Sequence, residues 1–174
     1  LKSDLRYYKS FMEWGMDGET NAFLEEVLLW LSENLPLNPN PKKLCWGDSR
    51  LGNVLFENFQ VKSLLDWEMA TIGDPLCDLA WGLTTDDVSS HGLNIEKLPG
   101  SIENEEAIKF WEKNTGYSAD NFFYYRILCL FKFSVIMIRV AKKLIHNEIM
   151  PLDSDFHVNN HVSNYLRQEF NEKN

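Results

Sequence analysis

Trp46-Gly-Asp-Ser-Arg-Leu-Gly-Asn53 stands between two short β-rich runs, and Leu65-Asp-Trp-Glu68 closes the hairpin that follows. Residues 43–46, 54–57 and 61–65 read as strands, with Asn58-Phe-Gln60 as the hairpin loop. Asp48 and Asn53 therefore share a loop, and Asp66 ends the second hairpin strand. A loop carboxylate can orient a hydroxyl and accept its proton. An Asn amide oxygen with a strand-end Asp supplies hard oxygen ligands for Mg²⁺ beside phosphates. The same residue types are also common turn formers and caps, and spacing alone leaves both readings open.

Outward from this stretch the pattern is helical. Residues 1–16 and 21–35 read as helices, the second with Phe23, Val27, Leu28, Leu31 and Leu35 as its apolar stripe. The prolines at 36, 39 and 41 end it. Asp74-Pro75 opens a further helix, with Asp as N-cap. Residues 85–102 have no period and read as a surface loop. Residues 103–114 read as a helix stopped at Gly116, and Ser118 caps a long one over 119–147 that is apolar nearly all round from Ile127 to Ile138. A last helix is expected over 153–170, which would put His157 and His161 on one face. Trp14, Trp30, Trp81 and Trp111 fall at apolar helical positions expected to be core.

The stretches Trp46–Asn53 and Leu65–Glu68, with Gly73-Asp-Pro-Leu-Cys-Asp-Leu-Ala80, resemble the aminoglycoside/choline phosphotransferase (APH) family, in particular the branch also found fused to acyl-CoA dehydrogenases. The resemblance implies an α+β, mainly α fold: a protein-kinase-like C-terminal lobe with a small β-hairpin carrying the catalytic loop. It implies Asp48 as catalytic base, Asn53 and Asp66 as Mg²⁺ ligands and part of the ATP (or GTP) site, and Asp78 as a brace for the loop. Trp67 flanks the metal Asp and is placed at the nucleotide site. Arg50 is a candidate for a phosphate or an anionic substrate, and Glu68 for a second metal. Trp46 stands where the family motif has His, so packing replaces a hydrogen bond in supporting the loop.

No G-x-G-x-x-G and no G-K-[ST] occurs. Residues 1–174 are accordingly expected to be the C-terminal lobe of a longer phosphotransferase, without the N-terminal nucleotide-binding lobe and incomplete for catalysis alone. The alternative is a non-catalytic kinase-like half that self-associates, a homodimer covering the missing-lobe surface. No H-E-x-x-H or G-x-S-x-G occurs, which leaves zincin and nucleophile-elbow hydrolase chemistry without a basis.

Among 174 residues, 17 Lys and Arg face 26 Asp and Glu, a net charge of −9. Nucleic-acid backbones and anionic membranes need a basic face, so neither is an expected partner. A small-molecule hydroxyl acceptor is, and the acidic balance leans towards a cationic or neutral one. Cys45, Cys77 and Cys129 form no paired spacing and fit a reducing, cytoplasmic setting.

Overall fold

The computed structural model describes residues 1–172. The chain divides into two compact units, 1–35 with 127–174 and 36–126. Its elements are mainly helical with a small β-hairpin, as expected, and a second antiparallel β pair that was not.

The first unit is built from α1 (Lys2–Met16), α2 (Ala22–Glu33), most of α5 (Phe122–His146) and α6 (His161–Asn171). α2 begins where Asn21 accepts a bond from the Leu24 amide at 3.1 Å. Of its expected stripe Val27 and Leu31 are buried and Phe23, Leu28 and Leu35 half-buried, with Leu24 buried beside them, while Ile127, Leu130, Phe131, Val135 and Ile138 of α5 are fully covered. Each such burial is worth about 1.5–3 kcal/mol of transfer free energy. α6 starts later than its period suggests. Asn160 and Ser163 form a reciprocal capping box there, and residues 151–160 are turns and irregular chain. His157 thus lies outside the helix, bonded to Glu19 at 3.1 Å, and shares no helical face with His161. Trp14 is not core either: it is 58% exposed, with the Arg139 guanidinium stacked 3.7 Å over its ring.

The second unit holds the strands. β1 (Lys43–Cys45) pairs antiparallel with β4 (Thr71–Gly73), a three-residue strand too short to show a period in the sequence. β2 (Val54–Glu57) pairs with β3 (Gln60–Leu64) across a two-residue turn, one residue tighter than expected, with Asn58 and Phe59 both at positive φ. That left-handed pair matches the twist of the flanking strands. α3 (Leu76–Ser90) and α4 (Asn104–Thr115) complete the unit, with Gly116 closing α4 in a left-handed cap.

α3 runs to Ser90, through residues that read as loop. The Thr85 and Ser90 hydroxyls donate to carbonyls one turn back, at 2.9 and 2.8 Å, which satisfies their donors inside the helix. Asp87 on the same stretch is only 1% exposed and meets Arg126 Nη1 at 2.6 Å, Asn104 Nδ2 at 2.7 Å and Lys97 Nζ at 2.8 Å. Burial pushes its pKa up, but the Lys97, Arg126 and Asn104 bonds outweigh that and hold it below the ordinary carboxylate value.

Removing one partner of a buried pair strands the others, so Asp87→Ala is expected to cost about 3–5 kcal/mol in urea unfolding at pH 7. Exposed Asp86→Ala should stay within about 0.5 kcal/mol. With the folded pKa depressed, the native state binds fewer protons than the unfolded one. The Asp87 contribution is therefore complete above the unfolded value, near pH 4, and is lost as pH falls through the folded value.

Candidate active site

The loop between β1 and β2 is held from α3. Asp78, in the first turn of that helix, accepts from the Trp46 amide at 2.7 Å and the Gly47 amide at 2.8 Å, one through each carboxylate oxygen. Its backbone carbonyl accepts from the Ser49 hydroxyl at 2.6 Å. A carboxylate receiving two amides is a strong, geometrically defined brace. Gly47 needs to be glycine twice over: its φ is +92°, and a Cβ there would lie 2.2 Å from the Met69 carbonyl oxygen.

Asp78 itself stands on a helix whose start is fixed by Asp74. The buried Asp74 carboxylate accepts from the Leu76 amide at 2.9 Å, the Asn40 amide at 2.9 Å and the Tyr125 hydroxyl at 3.1 Å. Burial first, then the neighbouring Cys77 and Asp74, push the Tyr125 phenol above its ordinary value, which keeps it a donor. The sequence marks Asp74 only as a cap; its long-range partners are a property of the fold.

Asp48 is buried at the centre of the loop. Its Oδ2 accepts from Asn53 Nδ2 at 2.6 Å and Arg50 Nε at 3.1 Å, and its Oδ1 accepts from Trp81 Nε1 at 2.7 Å. Trp81 was expected only as core. It is buried, but it also orients the candidate base from one turn beyond Asp78, and that i+3 spacing on a helix start is the one signal in the sequence. A single turn, Leu51–Asn53, follows as a 3₁₀ helix and brings the Asn53 side chain back onto Asp48.

Asn53 engages Asp48 through its amide nitrogen alone, leaving its amide oxygen outside those bonds. The Leu65 amide donates to the Asn53 carbonyl at 2.8 Å, so Asp66 follows directly on the residue paired with Asn53. Asp66 is exposed and left-handed, φ 58°, a conformation that Asp tolerates better than most residues. Trp46 donates from Nε1 to the Leu65 carbonyl at 2.7 Å, and Trp67 from its own Nε1 to the Leu64 carbonyl at 2.8 Å. The two rings lie 6.0 Å apart. Trp46 thus ties the loop to the hairpin by a hydrogen bond as well as by packing. Glu68 is exposed and makes no ion pair among the described residues.

α3 approaches the loop so closely that a Cβ on Gly82 would sit 2.8 Å from the Ser49 carbonyl oxygen. In an open helix Gly→Ala stabilises by up to about 1 kcal/mol. Here Gly82→Ala is expected to reverse that sign and cost about 1–3 kcal/mol in urea unfolding; a stabilised variant would contradict the close approach.

A family model described as phosphotransferase enzyme family (APH) matches residues 2–108. The chain is 33% identical over 124 residues to acyl-CoA dehydrogenase family member 11 of Pongo abelii, covering 65% of this chain and 16% of that protein. It is likewise 33% identical over 138 residues to the Gallus gallus protein of the same name, covering 71% of this chain and 18% of that protein. It therefore spans under a fifth of the length of these curated relatives. A crystal structure from Ralstonia eutropha JMP134, described as a candidate aminoglycoside phosphotransferase, shares the fold with a TM-score of 0.72 at 17% identity, over 97% of this chain and 52% of that one. With the family match running over more than half of its residues, the chain belongs to the phosphotransferase enzyme family.

Proposed function

We propose that this chain is the acceptor-side part of a small-molecule kinase that moves the γ-phosphoryl of ATP, or GTP, to a hydroxyl group. The observation that carries this reading is the donor set around Asp48: three side chains hold one buried carboxylate in a loop braced by Asp78. Oδ1 has Trp81 as its side-chain donor, which leaves a lone pair for the proton of an acceptor hydroxyl. Fixing that oxygen before the acceptor arrives reduces the entropy lost on reaching a reactive geometry.

The Asn53 amide oxygen and the Asp66 carboxylate are the groups that would hold Mg²⁺. The donor chemistry fits, because Mg²⁺ takes one or two protein carboxylates and completes its shell with phosphates and water. No group of three His, Cys, Asp or Glu that could hold a metal ion gathers among the described residues. When bound, the ion would neutralise charge on the phosphate oxygens. Trp67, next to Asp66 and partly exposed, is the candidate ring beside the nucleotide. The N-terminal, nucleotide-binding part of such a kinase belongs to the proposal as a partner of this lobe.

A second reading has its own observation. Leu44 and Ile72 of the β1–β4 pair and Leu55, Phe56, Phe59 and Val61 of the hairpin are all exposed. Such an apolar surface is one that another lobe, or a second copy in a self-associated form, would cover. No helix among the described residues is long and apolar enough to cross a membrane.

The metal half-site can be tested without an acceptor. Mn²⁺ added with ATP to isotopically labelled chain should broaden the Asn53 side-chain amide and the Asp66 amide selectively, and Asp66→Asn should abolish this. Broadening spread over surface carboxylates, or unchanged by the substitution, would contradict the assignment.

A further inference from the structure

A cavity of about 460 Å³ opens beside residues 49–52. Trp46, Leu83 and Ile102 give it apolar walls, and its charged lining residues are Arg50 and Asp86. Asp86 already faces Lys97, at 3.7 Å. Arg50 is placed differently. Its side chain is 52% exposed, and its hydrogen bond and ion pair among the described residues are both the Nε contact to Asp48. Arg50 and Gly52 both line the cavity, and Arg50 Nη1 lies 3.6 Å from where a Cβ on Gly52 would stand; Asp48 is not a lining residue, so Arg50 is the link between the base and the cavity.

We infer that Arg50 determines acceptor specificity: its guanidinium reads an oxyanion on the acceptor while Nε holds the base. The acceptor class is then a small hydroxyl compound with an apolar body and a carboxylate or equivalent oxyanion. This inference rests on the reading of Asp48 as the proton acceptor. A guanidinium is a rigid planar fork of five N–H donors. With Nε committed to Asp48, the Nη1 and Nη2 edge remains for two parallel bonds to an oxyanion. One rigid group would then touch both the base and the acceptor, fixing the acceptor's hydroxyl relative to Asp48.

The excess of acidic residues leans the other way, towards a cationic acceptor, but it averages over the whole chain. Asp74 is buried and hydrogen-bonded, Asp87 is buried and ion-paired, and Asp78 is spent on two backbone amides. None of the three lines the cavity, where the cation left without a second anion is Arg50. Local charge governs recognition at contact distance, because salt screens exposed charges beyond about 8 Å.

The test is an NMR titration of the chain with three probes of similar size and different charge: 3-phenyllactate, 3-phenyl-1,2-propanediol and phenylalaninol. Phenyllactate is expected to shift the Arg50 Nε–H and Ile102 amide signals and to bind at least about tenfold tighter than the other two. Arg50→Gln should bring all three within about twofold, Arg50→Lys should keep part of the preference, and Asp86→Asn should keep all of it. Equal affinities in the unmodified chain, a preference surviving Arg50→Gln, or no binding by any probe would overturn the inference. If the preference fails while Mn²⁺ broadening at Asn53 and Asp66 persists, only the role of Arg50 falls. Loss of that broadening removes the phosphotransfer reading itself.

Discussion

The Asp78 carboxylate, taking the Trp46 and Gly47 amides on its two oxygens, connects the helical and β parts of the second unit. These amides belong to a loop with no strand partner to satisfy them, and an unsatisfied buried amide costs about 1–3 kcal/mol. Placing the acceptor in the first turn of a helix adds favourable interaction with the helix N-terminus. The brace fixes the two residues before Asp48, and Gly82 lets the helix come within van der Waals distance of the residue after it. Asp48 is thereby positioned from both sides by one rigid element, and Trp81 on that element supplies a further bond to its side chain.

α3 and its entry turn carry three acidic residues with structural work. Asp74 starts the helix, Asp78 braces the loop, and Asp87 gathers Arg126, Lys97 and Asn104. A net charge of −9 therefore says less about the surface than its size suggests. Burying a carboxylate costs several kcal/mol unless its oxygens are met; Asp87 is met by the Arg126 and Lys97 cations, and Asp74 by hydrogen bonds from neutral donors. Their geometry is correspondingly unforgiving to substitution, whereas exposed Asp66 and Glu68 carry no such structural bonds among the described residues.

Much of this was legible in the sequence where local chemistry decides the outcome. The hairpin, the Asp74 cap and the stop at Gly116 follow from residue preferences that act over a few positions, whereas Asn21 read as the first helical residue and is the N-cap. Asp78 as a brace came from the family resemblance, and its bonds are those of a brace. What escaped the sequence is set by partners far along the chain. α3 persists past Thr85 because Asp87 finds Arg126, 39 residues away, while the hydroxyls satisfy their donors on the turn before. α6 begins late because the Asn160 capping box outcompetes the apolar period before it. Trp81 read as an ordinary core ring, since periodicity locates an indole on a face but cannot say what its N–H meets. Arg50 had only its sequence neighbours to recommend it, and the cavity beside it required the helix–loop contact to exist.

Asp78 positions the loop that carries Asp48, and amide hydrogen exchange tests this most directly. In Asp78→Ala the Trp46 and Gly47 amides should exchange at least about tenfold faster, the equivalent of about 1.4 kcal/mol. The acceleration should spread through residues 46–53, while α2 and α6 keep their protection. Unchanged protection at Trp46 and Gly47, or a uniform loss across the whole chain, would contradict the account.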